Sequence, residues 1–216
     1  MSTIAVFGAT GRSGLPLVQK ALEEGYRIRA LVRNPQKMTL VHPHLTIIPG
    51  DALDPKSVSE TIDYSDGVLS ALGQDKASLP DFQTRATQLI VDTMKQQGVR
   101  RLISLTGGGV RDTANDKPGL MDNVIVFIMK NLAGAGARNA LYDGISHAEL
   151  IKNSGLDWTI VRGPMLTEDP AKGTYKIGYV GTVPGIKLTR ADLADFIIKE
   201  FETGQYLHKM PFVTNG

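Results

Sequence analysis

Three glycines near the start of the chain constrain its fold more than any other feature. Gly8, Gly11 and Gly14 follow the apolar run Thr3–Phe7 and precede a stretch with helical periodicity. In a turn from a strand into a helix, the first glycine permits the tight bend and the third lets the helix pack close to the sheet. The second keeps side-chain atoms out of the space above the turn. We therefore predict a strand, a glycine turn and a helix that together begin a parallel α/β sheet.

The same turn carries hydrogen-bond donors. Thr10, Arg12 and Ser13 offer backbone N–H groups and side-chain donors at the positive end of the following helix, an environment that binds phosphate. Glycines at this spacing, between a strand and a helix, are typical of dinucleotide binding, although they could serve only a tight connection. We predict the binding role. The predicted phosphate-site residues are Gly8, Thr10, Gly11, Arg12, Ser13 and Gly14.

The end of the second predicted strand indicates which dinucleotide binds. An acidic residue there would accept hydrogen bonds from a free ribose 2′-hydroxyl and favour NAD. The strand ends instead in Leu31-Val32-Arg33, and Lys37 follows one turn later. A guanidinium in this place pairs with a 2′-phosphate, whereas the alternative is an arginine of a solvated loop. We therefore predict NADP(H) as the cofactor.

Two further strand ends extend the predicted site. Asp51 and Ala52 follow the third strand, where the carboxylate of Asp51 either reaches the adenine amino group or caps a turn before Asp54-Pro55. Leu72 and Gly73 follow the fourth strand, where a small residue would let the backbone lie beside the adenosine ribose. The sequence leaves both roles of Asp51 open.

The rest of the chain alternates short apolar runs with longer helical stretches, the pattern of a Rossmann-like, doubly wound parallel sheet. We predict one NAD(P)-binding domain over residues 1–216, with a small lobe on the substrate side. Predicted strands cover residues 3–7, 27–32, 45–48, 68–72, 101–105, 158–161 and 210–213. Predicted helices cover residues 11–24, begin at Asp54-Pro55, follow a stripe from Leu79 to Met94, and begin at Thr189. Residues 106–155 and 163–189 interrupt the alternation, the second as a loop with one short hairpin.

Composition narrows the function. The 216 residues have a net charge of +2 and include no cysteine. We therefore expect neither nucleic acid nor a membrane as partner, and disulfides and thiolate metal sites are excluded. The four histidines lack metal-ligand spacing, so no metal is predicted. Residues 124–129 are apolar on every side, which favours a buried helix but also fits an acceptor pocket or a dimer contact. With no targeting signal, we expect a cytoplasmic monomer or homodimer.

With these residues in place, the chain resembles the short-chain dehydrogenase/reductase superfamily, in its atypical single-domain branch. The likeness rests on residues 4–11, on Leu31-Val32-Arg33, on Gly50-Asp51 and on residues 154–162. It extends to the biliverdin-IXβ reductase and flavin reductase group. The resemblance implies phosphate contacts from Thr10 to Ser13, a 2′-phosphate site at Arg33 with Lys37, and an adenine pocket at Asp51 and Ala52. Around the ribose and nicotinamide it places Leu72, Gly73, Leu105, Thr106, Pro164 and Met165.

The chain departs from this family in its proton donors. The Tyr-x-x-x-Lys pair of the better-known reductases is missing, since Tyr142 is followed four residues later by Ser146. A family serine after strand five is replaced by residues 107–109, all glycine, and family histidines are replaced by Gly144 and Met165. These glycines either leave space for a flat ring or form a flexible loop.

No general acid is therefore carried over from the family. The candidate catalytic residues are Thr106 and His147, and a surface or capping role for His147 is the alternative. Arg162 is interpreted as a structural residue at the end of strand six.

Two functions follow from these patterns. The first is an NADPH-dependent reductase that transfers hydride to a flavin, a quinone or a similar flat ring acceptor, because such acceptors can draw their proton from water. The second is a non-catalytic NADP-binding sensor. The absence of an appended partner module favours the reductase, and the missing acid–base pair favours the sensor.

Overall fold

The computed structural model describes residues 1–74 and 79–216, and its centre is an eight-stranded sheet in the order β3-β2-β1-β4-β5-β6-β10-β8. The ten strands are β1 Thr3–Phe7, β2 Arg27–Val32, β3 Leu45–Pro49, β4 Gly67–Ser70, β5 Arg101–Gly107, β6 Asp157–Gly163, β7 Met165–Thr167, β8 Lys176–Gly178, β9 Lys187–Thr189 and β10 Phe212–Thr214. All neighbours in the large sheet are parallel except β10 and β8. The predicted Rossmann-like sheet is confirmed.

The described chain forms six helices, and local caps mark some of their ends. They are α1 Gly14–Glu23, α2 Pro55–Ile62, α3 Phe82–Gln97, α4 Leu120–Asn131, α5 Gly134–Lys152 and α6 Arg190–Thr203. The side chain of Asp54 accepts a hydrogen bond from the Ser57 N–H at 3.0 Å and begins α2. Helix α3 ends at Gly98, whose φ of +73° is a conformation that glycine adopts without strain.

Helices cover the sheet on both faces, which explains why the strands are almost continuously apolar. On one face α2, α3 and α5 bury a cluster that includes Phe7 and Leu102. On the other face α1 and α6 bury a cluster that includes Val6 and Ile103. Consecutive strand residues thus enter opposite cores, and both must be apolar.

The strand order reverses between β1 and β4, where the chain crosses from one half of the sheet to the other. At such a reversal the connections after the two strands diverge and leave a crevice at the carboxyl edge. The glycine turn after β1 and residues 71–74 after β4 lie on either side of this crevice.

Several expectations about the ends of elements are wrong. Helix α1 begins at Gly14 rather than at residue 11, and β10 begins at Phe212 rather than at residue 210. Strand β4 ends at Ser70 rather than at residue 72. Helix α3 begins at Phe82, and Leu79 is 47% exposed outside it. The apolar stripe therefore predicted the helix start one turn too early. The cap of this helix comes from Asp143 of α5, which is far away in sequence.

The predicted hairpin in residues 163–189 is also wrong. Strand β7 pairs in parallel with β9, and β8 pairs antiparallel with β10. Strands β7 and β9 of this segment thus pair in parallel, which a hairpin cannot do, and β8 pairs with a strand outside the segment. Sequence periodicity carries no signal for that choice.

Helix α4 corrects the expectation of a buried helix at residues 124–129. The structure describes all twelve residues of this helix. Each is at least partly accessible to solvent, and Phe127 is 59% exposed. Met129 alone of this helix borders the cavity described below. Within residues 1–74 and 79–216, no single helix is long and apolar enough to span a membrane, whereas α4 and α5 together reach that length and composition with a bend of 114°.

Candidate cofactor-binding site

A cavity of about 640 Å³ opens at the carboxyl edge of the sheet, within the range of small-molecule sites (roughly 300–1,000 Å³). The predicted residues that line it are Gly8, Thr10, Gly11, Arg12, Ser13, Arg33, Lys37, Asp51, Ala52, Leu72, Gly73, Leu105, Thr106 and Pro164. Gly14 lies behind the turn, and Met165 is 57% exposed; within the described chain, neither belongs to the cavity wall. The fold thus brings together fourteen predicted residues that lie at or just after the carboxyl ends of six strands.

The glycine turn has the geometry that the sequence predicts. Gly8 has a φ of +76°, and a Cβ there would lie 2.7 Å from the Ala71 carbonyl oxygen. A Cβ on Gly14 would lie 2.0 Å from the Gly8 oxygen, so only glycine allows α1 to begin this close to β1. A Cβ on Gly11 would meet only the Gly8 oxygen, at 3.1 Å. Gly11 therefore keeps the cavity floor open rather than relieving a clash inside the fold.

The turn before α1 borders this floor with Thr10, Arg12 and Ser13. At the helix start the Leu15 N–H already donates to the Gly11 oxygen at 2.9 Å and Pro16 has no N–H, so the donors for a phosphate belong to the turn. No acidic residue lies in the first turn of the helix, whose dipole favours a negative charge here. The turn therefore fits a pyrophosphate group.

One end of the cavity carries the predicted cations. Asn34 accepts a hydrogen bond from the Gln36 N–H at 3.1 Å and begins a 3₁₀ turn over Pro35–Lys37. This turn brings Lys37 to the same cavity end as Arg33, and both side chains are exposed. Two exposed cations at the end of β2 fit a ribose 2′-phosphate.

Asp51 takes one of its two predicted roles and keeps the other available. Its Oδ1 accepts a hydrogen bond from the Leu53 N–H at 2.8 Å, so the residue caps the turn before α2. The same residue borders the cavity next to Ala52. The turn fixes the carboxylate where an adenine group would approach it.

Gln83 is a cavity residue that sequence reasoning missed. Its buried Nε2 donates to the carbonyl oxygens of Leu72 at 3.0 Å and Leu105 at 3.2 Å. These two hydrogen bonds join the segment after β4 to the end of β5. Asp143 of α5 accepts the N–H of Gln83 at 2.8 Å and of Thr84 at 2.9 Å. A glutamine near a helix start is too common to signal this role, because its partners lie on other strands.

The glycine run after β5 is ordered by close packing. A Cβ on Gly108 would lie 2.8 Å from the Gly163 oxygen, and the Gly108 N–H donates to that oxygen at 2.9 Å. A Cβ on Gly107 would meet nothing within 4 Å. Gly107 faces the cavity, whereas Gly108 permits contact between the ends of β5 and β6. The flexible-loop interpretation therefore does not hold for Gly108.

His147 is buried, which corrects the expected surface or capping role. Its Nδ1 lies 2.8 Å from the Thr87 hydroxyl and its Nε2 lies 3.1 Å from the Ser104 hydroxyl. Burial lowers the pKa of His147 to about 4, although the charge of Asp143 opposes this change. The ring is therefore neutral near pH 7. His147 is not one of the described residues that line the cavity. Thr106 is thus the catalytic candidate that borders the cavity.

Arg162 has the structural role that the sequence indicated. Its guanidinium is fully buried and forms two hydrogen bonds to Asp116, at 2.7 and 2.9 Å. It also donates to the carbonyl oxygens of Val110 and Met210. Burial raises the pKa of Asp116, but the hydrogen bonds and charge of Arg162 outweigh this and hold it below its usual value.

Arg190, the first residue of α6, is a second cavity residue that the sequence analysis missed. Its helix was predicted from the Thr189 cap, but the side-chain direction depends on how α6 packs against α1. No spacing from the glycine turn points to it.

Comparison with known proteins identifies the family. A profile of the NAD(P)H-binding family matches residues 8–203. The chain belongs to this NAD(P)H-binding family. The matched region contains the glycine turn and extends to the end of α6, so it spans the whole cavity.

Individual relatives agree with this assignment. The chain is 34% identical over 161 residues to the reductase pytE of Aspergillus terreus, a match that spans 59% of this chain and 61% of that protein. A proposed NADH-flavin reductase from Streptococcus pneumoniae superposes with a TM-score of 0.79 at 17% identity, covering 100% of both chains. The oxidoreductase ylbE of Lactococcus lactis gives 0.79 at 20% identity, covering 99% of this chain and 91% of that one. These structures share the fold with this chain, and the predicted membership of an NAD(P)H-binding family is confirmed by the profile.

Proposed function

We propose that this protein is an NADPH-dependent reductase whose hydride acceptor is a flat ring such as a flavin or a quinone. The observation that carries the proposal is the shape of the cavity: it continues from the glycine turn to an open end beside Gly107, Pro164 and Leu166. Nothing lies within 4 Å of a Cβ on Gly107. A ring can therefore stack here against a nicotinamide bound at the carboxyl ends of β5 and β6.

The preference for NADPH rests on Arg33 and Lys37. Both border the cavity at the end of β2, and in dinucleotide-binding sheets of this kind that strand end receives the adenosine ribose, which supports the preference. A guanidinium recognises a phosphate through charge-assisted hydrogen bonds and offers no acceptor for a ribose hydroxyl. An acidic residue, which would select NADH, is not found at position 33.

The chemistry needs orientation more than acid–base groups. Bound NADPH supplies the hydride, and the proton that a reduced flavin or quinone gains comes from water. The chain's part is to hold the two rings in contact and to limit solvent between them. The neutral, enclosed ring of His147 delivers no proton at this end.

The test is NADPH oxidation, followed by absorbance, against flavins, quinones and linear tetrapyrroles. Gly107→Leu fills the open end and should abolish turnover of the best acceptor while NADPH affinity stays within about twofold of wild type, since a leucine side chain excludes a stacked ring. Gly136→Leu on α5 is the matched control, because it adds the same side chain in open space outside the cavity.

Two outcomes would overturn the proposal. Equal turnover by Gly107→Leu and wild type would remove the acceptor from this end. Tight NADPH binding without oxidation of any acceptor would favour the sensor function instead. That second function is favoured by one observation: Tyr142, where the related enzymes place an acid, is 51% exposed and, in the described chain, outside the cavity wall.

A further inference from the structure

Arg190 is buried in the cavity wall without a full set of partners. Its side chain is only 8% exposed, and its Nε has no hydrogen-bond partner within residues 1–74 and 79–216. One terminal nitrogen, Nη1, donates to the Leu166 oxygen at 3.2 Å and lies 2.9 Å from Glu168 Oε1. A buried donor left unpaired destabilises a fold, so this arrangement needs another explanation.

The ion pair with Glu168 does not explain the burial. Glu168 is 62% exposed, and a pair at the solvent edge contributes little to stability. An arginine that served only this pair would also lie at the surface. The guanidinium instead lies beneath Glu168, along the wall that faces the cavity.

A second cation faces the same space. Helices α1 and α6 pack side by side on one face of the sheet, and Arg12, just before α1, borders the same cavity as Arg190 at the start of α6. Burial lowers the pKa of the Arg190 guanidinium, Glu168 opposes this, and the positive charge of Arg12 adds to it. Two guanidinium groups that share one wall of a cavity fit an anion between them.

The start of α6 is fixed, so this position is built into the fold. The Thr189 hydroxyl accepts the Asp192 N–H at 3.0 Å and caps the helix. Asp192 in turn accepts the N–H groups of Lys172 and Gly173, both at 2.9 Å. The long segment before α6 is thereby tied to its first turn, which holds the Arg190 backbone in place.

We propose that Arg190 binds the dinucleotide pyrophosphate together with Arg12, and that Glu168 is the carboxylate it leaves when the phosphate arrives. This inference rests on the proposed function, because the two arginines need a dinucleotide in the cavity. Arg190, which lies far from the glycine turn in sequence, thereby joins the residues of the turn as a pyrophosphate ligand.

Titration calorimetry with ligand fragments tests the inference. Adenosine 2′-monophosphate has no pyrophosphate, 2′-phospho-ADP-ribose adds it, and NADP⁺ adds the nicotinamide. Arg190→Gln should leave the first affinity unchanged and weaken the other two by the same factor, roughly ten- to a hundredfold. Arg190→Lys should recover part of this loss, because it keeps the charge without the planar fork. Glu168→Gln should tighten both pyrophosphate ligands. Arg138→Gln, an exposed arginine outside the cavity, is the matched control.

Stability separates binding from a structural role. Because Nε has no partner, Arg190→Gln should leave the thermal midpoint of the ligand-free protein unchanged or raised. A lowered midpoint with unchanged affinities would make the residue structural and overturn the inference. Unchanged affinities with a kcat/KM that falls for FMN but not for riboflavin would assign it to an anionic acceptor, which also overturns it. Wild type that binds NADP⁺ only as tightly as Arg190→Gln does contradicts this inference alone, whereas wild type that does not bind NADP⁺ contradicts the proposed function too.

Discussion

The two ends of the cavity are built in different ways. Most of the proposed phosphate and adenosine end comes from short connections after β1, β2 and β3, within the first 52 residues, and Leu72, Gly73 and Arg190 complete it. The proposed nicotinamide end comes from residues 105–107, 109 and 110, from Met129 and Leu141, and from Gly163, Pro164 and Leu166. The first end is formed by turns whose residues are neighbours in sequence. The second depends on contacts between segments that are tens of residues apart.

This difference determines what stabilises each end. Gly8 and Gly14 shape the phosphate turn through the backbone alone. At the other end, the buried Asp116–Arg162 pair joins four segments: Asp116 accepts the N–H groups of Asp112 and Val180, and Arg162 donates to Met210. Local turn chemistry makes a rigid phosphate site, whereas an irregular lobe needs a buried polar network.

The largest effect on the free energy of unfolding is expected from Asp116→Asn. It leaves the Arg162 guanidinium buried without a counter-charge, which costs about 3–5 kcal/mol. Urea unfolding should show this loss, whereas Asp157→Asn, which breaks the exposed pair with Arg100, should cost less than about 1 kcal/mol. Equal losses would show that the buried pair does not stabilise this lobe.

The pH dependence of the Asp116 contribution has a definite sign. Because its folded pKa lies below the unfolded value, the stabilisation is complete above about pH 4 and is lost as pH falls through the folded pKa. The difference between wild type and Asp116→Asn should therefore shrink below pH 4. The folded fraction of this variant should still bind adenosine 2′-monophosphate, since the phosphate end does not depend on this pair.

A smaller effect is expected at the phosphate end from Arg33→Ala. A hydrogen bond to a charged group contributes about 1.5–3 kcal/mol, so NADPH should bind roughly ten- to a hundredfold more weakly while NADH is unaffected. Calorimetry with both cofactors measures this. Arg27→Ala is a control, because this exposed arginine lies at the other end of β2. An equal loss for NADH would contradict the 2′-phosphate role.

The sequence predicted the phosphate end better than the nicotinamide end for the same physical reason. Gly8, Gly11 and Arg33 could be interpreted from their position after a strand, because neighbours in sequence determine the geometry of such turns. Gln83 and Arg190 could not, since each acts on a partner more than ten residues away. The exposed face of α4 was missed because apolar composition does not specify what covers a helix.

His147 shows the same limit and gives the smallest expected effect at neutral pH. From the sequence it was a candidate proton donor on a helix, but packing of α5 against α3 encloses the ring between Thr87 and Ser104. His147→Gln keeps a polar side chain there and should leave turnover within about twofold of wild type from pH 6 to 8, because a group with a pKa of about 4 does not titrate in that range. A large loss of kcat together with a lost pH dependence would make this residue a proton donor.

The variant should act on stability in acid instead. The unfolded histidine gains a proton as pH falls through about 6.5, whereas the folded one stays neutral down to about 4, so wild type should lose roughly 3 kcal/mol across this window. His147→Gln should remove that part of the slope of unfolding free energy against pH. An unchanged slope would mean that the ring is charged in the folded protein. A proton donor would then lie next to Ser104, on the same strand as Thr106.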